Sequence, residues 1–229
     1  MCIIVAMTSR RFVIPDIHGC ALTLRHLVED VLQPGQADAL YLLGDYIDRG
    51  PRSREVIELI RSWSQEGLAV HPLRGNHEEM LLDACRDRTS FRLWMLNGGY
   101  ATLASYGVED ACELPLPHRA ILSDLPLYMK LDDVVLVHAG LNFTLDDPFS
   151  DREAMLWVRS TKVDSIKLDG RKLVCGHTPT TRKAIEASMA TDLITLDNGC
   201  VYAGAPGLGS LAALELNTLT LLFQENIDV

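Results

Sequence analysis

The chain has 229 residues, 48% of them apolar, with a formal net charge of -10. That apolar fraction suffices for one large core, while the acidic balance, without any block of like charge, excludes an electrostatic footprint for nucleic acid or an anionic membrane surface. Cys2, Cys20, Cys85, Cys112, Cys175 and Cys200 form no C-x-x-C pair, and a chain of this size needs no disulfide to fold, so they read as reduced thiols of a cytoplasmic protein.

The opening MCIIVAM is apolar, but no basic stretch precedes it and Thr8-Ser9-Arg10-Arg11 follows, so it reads as neither signal peptide nor membrane span. Met7 is a second candidate start, and 1–11 are taken as an N-terminal extension of one domain covering 1–229. Next, RFVIPD reads as a strand, ALTLRHLVEDVL as a helix with Leu22, Leu24, Leu27, Val28 and Val31 on its apolar face, and DALYLLGD as a second strand. A helix starts after Pro51 at Ser53 and buries Val56, Ile57, Ile60 and Trp63; LAVHPLRGNH is a third strand and EEMLLDACRD a third helix. Strand-helix-strand units of this length imply a parallel sheet with right-handed crossovers. The stretch 90–130 is less regular and partly helical, with turn signals at Asn97-Gly98-Gly99 and at Leu114-Pro115-Leu116-Pro117. From Val134 the pattern changes to short strands: VVLVHAG, KLVCGH, DLITLDN, CVYAG and SLAALEL.

The first three strands each end on a polar cluster: Asp16-Ile17-His18-Gly19, then Gly44 to Gly50 (GDYIDRG), then Arg74 to Glu78 (RGNHE). Two later strands end on His138-Ala139-Gly140 and Gly176-His177-Thr178. Carboxyl ends of parallel strands meet at one sheet edge, which would gather Asp16, His18, Asp45, Asn76, His138 and His177. Asp16 and His18 stand at i and i+2 of an extended segment and so project to one side. Carboxylate, imidazole and amide oxygen together suit manganese, iron, cobalt or zinc rather than calcium. Six donors exceed the needs of one catalytic ion and suit two ions sharing a bridging carboxylate.

This ordered set resembles the metallophosphoesterases, specifically the phosphoprotein phosphatase group, whose pattern is G-D-x-H-G, G-D-x-x-D-R-G, G-N-H-E, H-A-G and G-H. LRGNHEEMLLD, WMLNGG, LWVR and GHTP are similar to the small bacterial and phage protein phosphatases of the lambda type. The resemblance implies a calcineurin-like α/β fold, a central β-sandwich of mixed sheets flanked by helices, with the metals at the C-terminal ends of strands. It implies that Asp16, His18 and Asp45 hold one ion, and that Asp45, as the bridge, holds the second with Asn76, His138 and His177. Arg49, Arg74 and Arg159 match phosphate-binding arginines, and His77 a general acid oriented by Asp48. The expected cofactors are two divalent ions, manganese first, with iron, zinc, cobalt or nickel as the other candidates. The implied reaction is direct hydrolysis of a phosphate monoester by a hydroxide bridging the two ions, on a phosphoserine or phosphothreonine protein or peptide. No nucleic-acid or membrane partner is expected, and a monomer is the working expectation. Pro15 departs from the pattern, standing where the group has glycine, and leaves both neighbouring ligands in place.

Two other functions compete. A symmetrical dinucleoside-tetraphosphate hydrolase would use the same scaffold, but hydrolases of that type more often show G-N-H-D where this chain has Glu78. An inactive scaffold or sensor would have lost ligands, and none of the motif positions is lost. His26, His71 and His118 read as structural, and Cys20 and Cys175, although beside expected ligands, as inert buried thiols. Asn97-Gly98-Gly99 reads equally as a loop over the site or a helix-ending turn. Substrate identity should reside in 90–130, taken as a substrate-loop or helical insert, and in Phe143 to Asp169.

Overall fold

A computed structural model describes residues 9–159 and 162–228. Met1, Cys2 and Met7, and with them the choice of start, lie outside the described residues. The strands are β1 (Arg11–Ile14), β2 (Ala39–Leu42), β3 (Ala69–Pro72), β4 (Tyr128–Lys130), β5 (Val134–Val137), β6 (Lys172–Cys175), β7 (Leu193–Thr195), β8 (Ser210–Glu215) and β9 (Thr220–Glu225). They form two sheets, ordered β3-β2-β1-β8-β9 and β4-β5-β6-β7. Strands β1, β2 and β3 are parallel, as are β5, β6 and β7, whereas β8, β9 and β4 join antiparallel at the outer sides.

Period-2 alternation places the core. Val13, Tyr41, Leu43 and Leu73 of the first sheet and its strand ends pack against Val134, Leu136, Val174 and Ile194 of the second. Phe12, Ile14, Leu40 and Leu42 point the other way, onto helices α1 (Ala21–His26), α2 (Ser53–Gln65) and α3 (Asn76–Ala84). The continuous apolar run of β5 is buried along its whole length because both faces of the second sheet are covered: Val135 and Val137 pack on Leu141, Met155 and Leu168. The chain is thus a β-sandwich of mixed sheets with helices outside. The remaining helices are α4 (Arg88–Trp94), α5 (Tyr100–Tyr106), α6 (Leu116–Ser123), α7 (Arg152–Trp157) and α8 (Arg182–Ser188).

Three local expectations are corrected. After α1 the helix continues as a widened turn, closed by Gln33 N–H donating to the Val28 carbonyl at 2.9 Å. The extra residue per turn rotates the apolar face, so Leu32 is buried and Val31 is 38% exposed. CVYAG is a turn rather than a strand: Gly199 and Gly204 both have positive φ, and Tyr202 N–H donates to the Gly199 carbonyl at 2.8 Å. Strands β4 and β9 were not foreseen. The hairpin that delivers β9 turns at Leu219 with φ 56° and contains no glycine, so it carries no ordinary hairpin signal. Pro15 follows the last ladder pair, Ile14 with Leu42, where its missing N–H interrupts no strand bond.

Candidate metal centre and active site

Loops after β1, β2, β3, β5 and β6 bring His18, Asp45, Asn76, His77, His138 and His177 together, all of them buried. Asp45 lies at the centre. Its Oδ2 is 3.5 Å from His18 Nε2 and 3.9 Å from His77 Nε2, while its Oδ1 is 3.5 Å from His138 Nε2. Asn76 Oδ1 is 2.8 Å from His138 Nε2 and 3.0 Å from His177 Nδ1, and those two nitrogens are 3.0 Å apart. Two groups of donor atoms result, His18 with Asp45 and His77, and Asp45 with His138 and His177, each within 4.8 Å of one another. Asp16 joins neither group; both of its oxygens accept the His177 N–H, at 2.9 and 3.0 Å.

Hydrogen bonding fixes the ring tautomers. His18 Nδ1 lies 2.9 Å from the Ile47 carbonyl and His138 Nδ1 3.0 Å from the Leu43 carbonyl. A carbonyl can only accept, so Nδ1 carries the proton and Nε2 presents its lone pair to the cluster. Burial, with His77 and Arg49 adding to it at His18 and His177 at His138, holds both imidazoles well below the usual histidine range and keeps them neutral. His177 is pushed down to about 4 by burial and by Arg159 and Arg49, and its buried Nε2 has no hydrogen-bond partner among the described residues.

The same cavity buries acids. Burial and Asp197 raise Asp16, and burial, Asp16 and Glu78 raise Asp45; burial takes Glu78 to about 7 and Asp197 to about 6. Lone pairs of neutral imidazoles and crowded carboxylates therefore face one another with Arg49 as the nearest cation. That is a donor set short of positive charge, and divalent ions fit it.

Arg49 spans two imidazoles of the first group, Nη1 2.6 Å from His18 Nε2 and Nη2 2.8 Å from His77 Nε2, with its guanidinium 5.8 Å from the Tyr202 ring. His77 Nδ1 is 2.7 Å from Asp48 Oδ2. Arg74 is buried and held differently: Nη1 donates to Glu79 at 3.0 Å and Nη2 to the Ser123 carbonyl. Glu79 also takes Arg152 Nη2 at 2.6 Å, so it stands between two arginines. Arg159 is exposed after α7 and acts on His177 through its charge. Trp157, 38% exposed, sits edge-on to His177 at 6.4 Å and opens onto a groove of about 930 Å³ lined by Leu141, Phe143, Val163 and Ile166.

Residues to which the motifs gave no role complete the site. Glu78 accepts the N–H groups of Asp45 and Gly75, each at 2.9 Å, and of Tyr46 at 2.8 Å, clamping the loops after β2 and β3 together. Gly75 is required there, since a Cβ would lie 2.1 Å from Asp45 Oδ1. Trp94 and Thr102 donate to Asp48 from the far side. As expected, His118 is structural, bonded through Nδ1 to the Tyr106 hydroxyl at 2.8 Å, and His71 stacks on Tyr41. Cys175 is buried, its thiol pushed up to about 12 by burial and by Asp16 and Asp197.

The family profile of calcineurin-like phosphoesterases matches residues 9–214, which takes in every donor described above and all the strands but β9. The chain belongs to this family. This phosphoesterase is 43% identical over 207 residues to serine/threonine-protein phosphatase 1 of Salmonella typhimurium, covering 84% of this chain and 88% of that protein. It is also 31% identical over 254 aligned positions to a symmetrical bis(5'-nucleosyl)-tetraphosphatase of Aromatoleum aromaticum, covering 83% and 89%. The fold matches the solved structure of a protein serine/threonine phosphatase from Saccharomyces cerevisiae, with TM-score 0.64 at 15% identity, over 97% of this chain and 81% of that one. The chain is a metallophosphoesterase of the phosphoprotein phosphatase group, with a divalent dimetal centre as the family's cofactor. No helix among the described residues is long and apolar enough to cross a membrane.

Proposed function

We propose that this phosphoesterase is a protein phosphatase hydrolysing phosphoserine and phosphothreonine monoesters, with manganese as its preferred ion and the cytoplasm as its compartment. The arrangement of Arg49 and the Asp48–His77 pair around the donor cluster carries the reaction class. The relative at 43% identity over most of both chains supports the choice of a phosphoprotein substrate.

Asp45 would bridge two ions, with His18 and Asp16 on one side and Asn76, His138 and His177 on the other. When bound, such ions lower the pKa of a coordinated water and neutralise charge on phosphoryl oxygens. The two guanidinium N–H groups that Arg49 aims into the site suit paired phosphoryl oxygens. Arg159 adds positive charge at the rim, and Arg74 joins only when its guanidinium exchanges Glu79 for the phosphoryl group. His77 faces the leaving oxygen. Burial and Arg49 depress its pKa in the free protein, and a phosphate dianion at Arg49 offsets that cation and favours the protonated ring. The carboxylate of Asp48 then stabilises the imidazolium through Nδ1–H, and Nε2–H protonates the departing serine or threonine oxygen.

The second reading, dinucleoside-tetraphosphate hydrolysis, is favoured by the relatives that carry that name. A panel with the Mn²⁺-loaded protein separates the two, comparing phosphoserine, phosphothreonine and phosphotyrosine peptides with diadenosine tetraphosphate. Higher kcat/KM on the phosphoserine and phosphothreonine peptides is expected; a preference for the dinucleotide by orders of magnitude would replace this proposal with the second reading.

A further inference from the structure

We infer that Thr102 and Trp94, contributed by the insert and absent from every metal and phosphate motif, are positioning residues that act through Asp48 on the leaving-group acid His77. The inference rests on the phosphatase reading above and on His77 as its proton donor.

Asp48 is fully buried, and three protein donors meet its carboxylate. Oδ2 accepts from His77 Nδ1 at 2.7 Å and from Trp94 Nε1 at 2.8 Å, while Oδ1 accepts the Thr102 hydroxyl at 2.6 Å. The same hydroxyl accepts the Asp48 N–H at 2.9 Å, a donor it shares with Ser53 Oγ at 3.1 Å, and its single proton goes to the carboxylate at 2.6 Å rather than to Ser53 Oγ at 3.2 Å. Thr102 therefore grips Asp48 at both backbone and side chain, and both Thr102 and Trp94 are themselves fully buried. The grip has something to resist, because Asp48 has φ 71° in the left-handed region, where a residue with a Cβ is strained.

The chain between the two donors is shaped to reach this point. Gly98, with φ 105°, turns α4 into α5 and accepts the Arg49 N–H at 3.2 Å; a Cβ there would lie 2.9 Å from Arg49 Cγ. A Cβ on Gly99 would lie 2.5 Å from the Trp94 ring. Asn97-Gly98-Gly99 thus seats the insert under Asp48 and Arg49. Three donors on the two oxygens of Asp48 favour the acceptor-only carboxylate against the burial that raises it to about 7, and a carboxylate held in one orientation keeps the His77 Nδ1–H toward Asp48 and Nε2 toward the site.

The test uses the Mn²⁺-loaded protein and two aryl phosphates. Phenyl phosphate has a leaving oxygen that needs a proton; 2,4-dinitrophenyl phosphate has one that does not. Thr102→Val and Trp94→Phe should each lower kcat on phenyl phosphate by roughly 10- to 100-fold, part of the contribution expected of a whole general acid, with KM little changed and a loss under about 3-fold on the dinitrophenyl ester. Thr102→Ser should recover most of the loss, and Thr102→Val should add nothing to His77→Asn. Equal losses on both esters, or full additivity with His77→Asn, would reduce Thr102 to a structural residue. A second arm needs no turnover: the imidazole Nδ1 proton of His77 in the metal-free protein should give an exchange-protected downfield NMR resonance that Thr102→Val and Trp94→Phe shift upfield or broaden. An unchanged resonance overturns the positioning role. If the wild-type protein hydrolyses neither ester, the phosphatase reading fails instead, and the resonance alone decides whether Thr102 and Trp94 hold the pair.

Discussion

Each oxygen of the Asp45 carboxylate faces a different set of imidazoles, so one atom change there tests the whole centre. Asp45→Asn should abolish activity and reduce bound metal, read by plasma emission spectroscopy, toward zero for both ions. His77 is the contrasting case, because its Nε2 lies within the His18 and Asp45 group while its Nδ1 is held by Asp48. His77→Asn should lower kcat by about 10²–10⁴-fold, the usual contribution of a general acid, and keep both ions. An equal fall in metal content would make His77 a ligand. At this scale the donors that converge were legible, because Asp, His and Asn at strand ends have no bland use in such numbers, whereas Asp16, expected among them, is taken by the His177 N–H. The roles of Glu78, Trp94 and Thr102 were not legible: the first two stand in quoted motifs without showing what they hold, and Trp94 and Thr102 lie 46 and 54 positions away from the carboxylate they bond. Arg74 matched the phosphate-binding arginines in sequence, but its pairing with Glu79 was illegible there, since that pair depends on how a loop enters α3.

Among the elements, the β8–β9 hairpin carries an avoidable strain. Leu219 holds φ 56° and is 48% exposed, so its side chain gains little from the core. Leu219→Gly should raise stability by about 1 kcal/mol in urea unfolding, the usual cost of the left-handed region for a residue with a Cβ. A second contact joins the two sheets: Arg11 at the start of β1 grips Asp133, before β5, through bonds of 2.8 and 2.9 Å. The Arg11 guanidinium holds the Asp133 carboxyl below its ordinary range, with burial opposing. Because the folded value is the lower one, this contribution is fully present above the unfolded value and disappears as pH falls through the folded one. The pair is largely solvated, so Asp133→Asn should cost about 0.5 kcal/mol at pH 7, and the difference from wild type should vanish once pH has fallen through the folded value. Elements themselves were legible where one period ruled. They failed at the widened turn after α1, where an inserted residue moved burial from Val31 to Leu32, and around β9, where no turn residue announced the hairpin.

Across the molecule, two half-sandwiches contribute to one centre: the first sheet sends Asp45, His18 and Asn76, the second His138 and His177. Ions bound there tie the sheets together and relieve the crowded carboxylates, so they bind the folded state alone. Mn²⁺ at 100-fold over its Kd should add about 2.7 kcal/mol of stability per ion bound, seen as a higher Tm that EDTA reverses. An unchanged Tm with full metal occupancy would show that the donors are equally available in the unfolded chain. This convergence was predictable from parallel topology, whereas the bracing of Asp48 by the insert depends on side-chain reach that no periodicity encodes.

His18, Asp45, Asp48, Arg49 and His177 all sit at positive φ, between 47° and 71°. Each would be more comfortable as glycine or asparagine, at about 1–2 kcal/mol apiece. A descendant freed from selection for catalysis has an easy route to greater stability through these very positions, and its first substitutions there would erase donors of the cluster and the arginine beside it. Loss of function in this lineage should therefore leave a signature of gain in Tm, and an inert relative should be recognisable by glycines where this chain still carries histidine, aspartate and arginine.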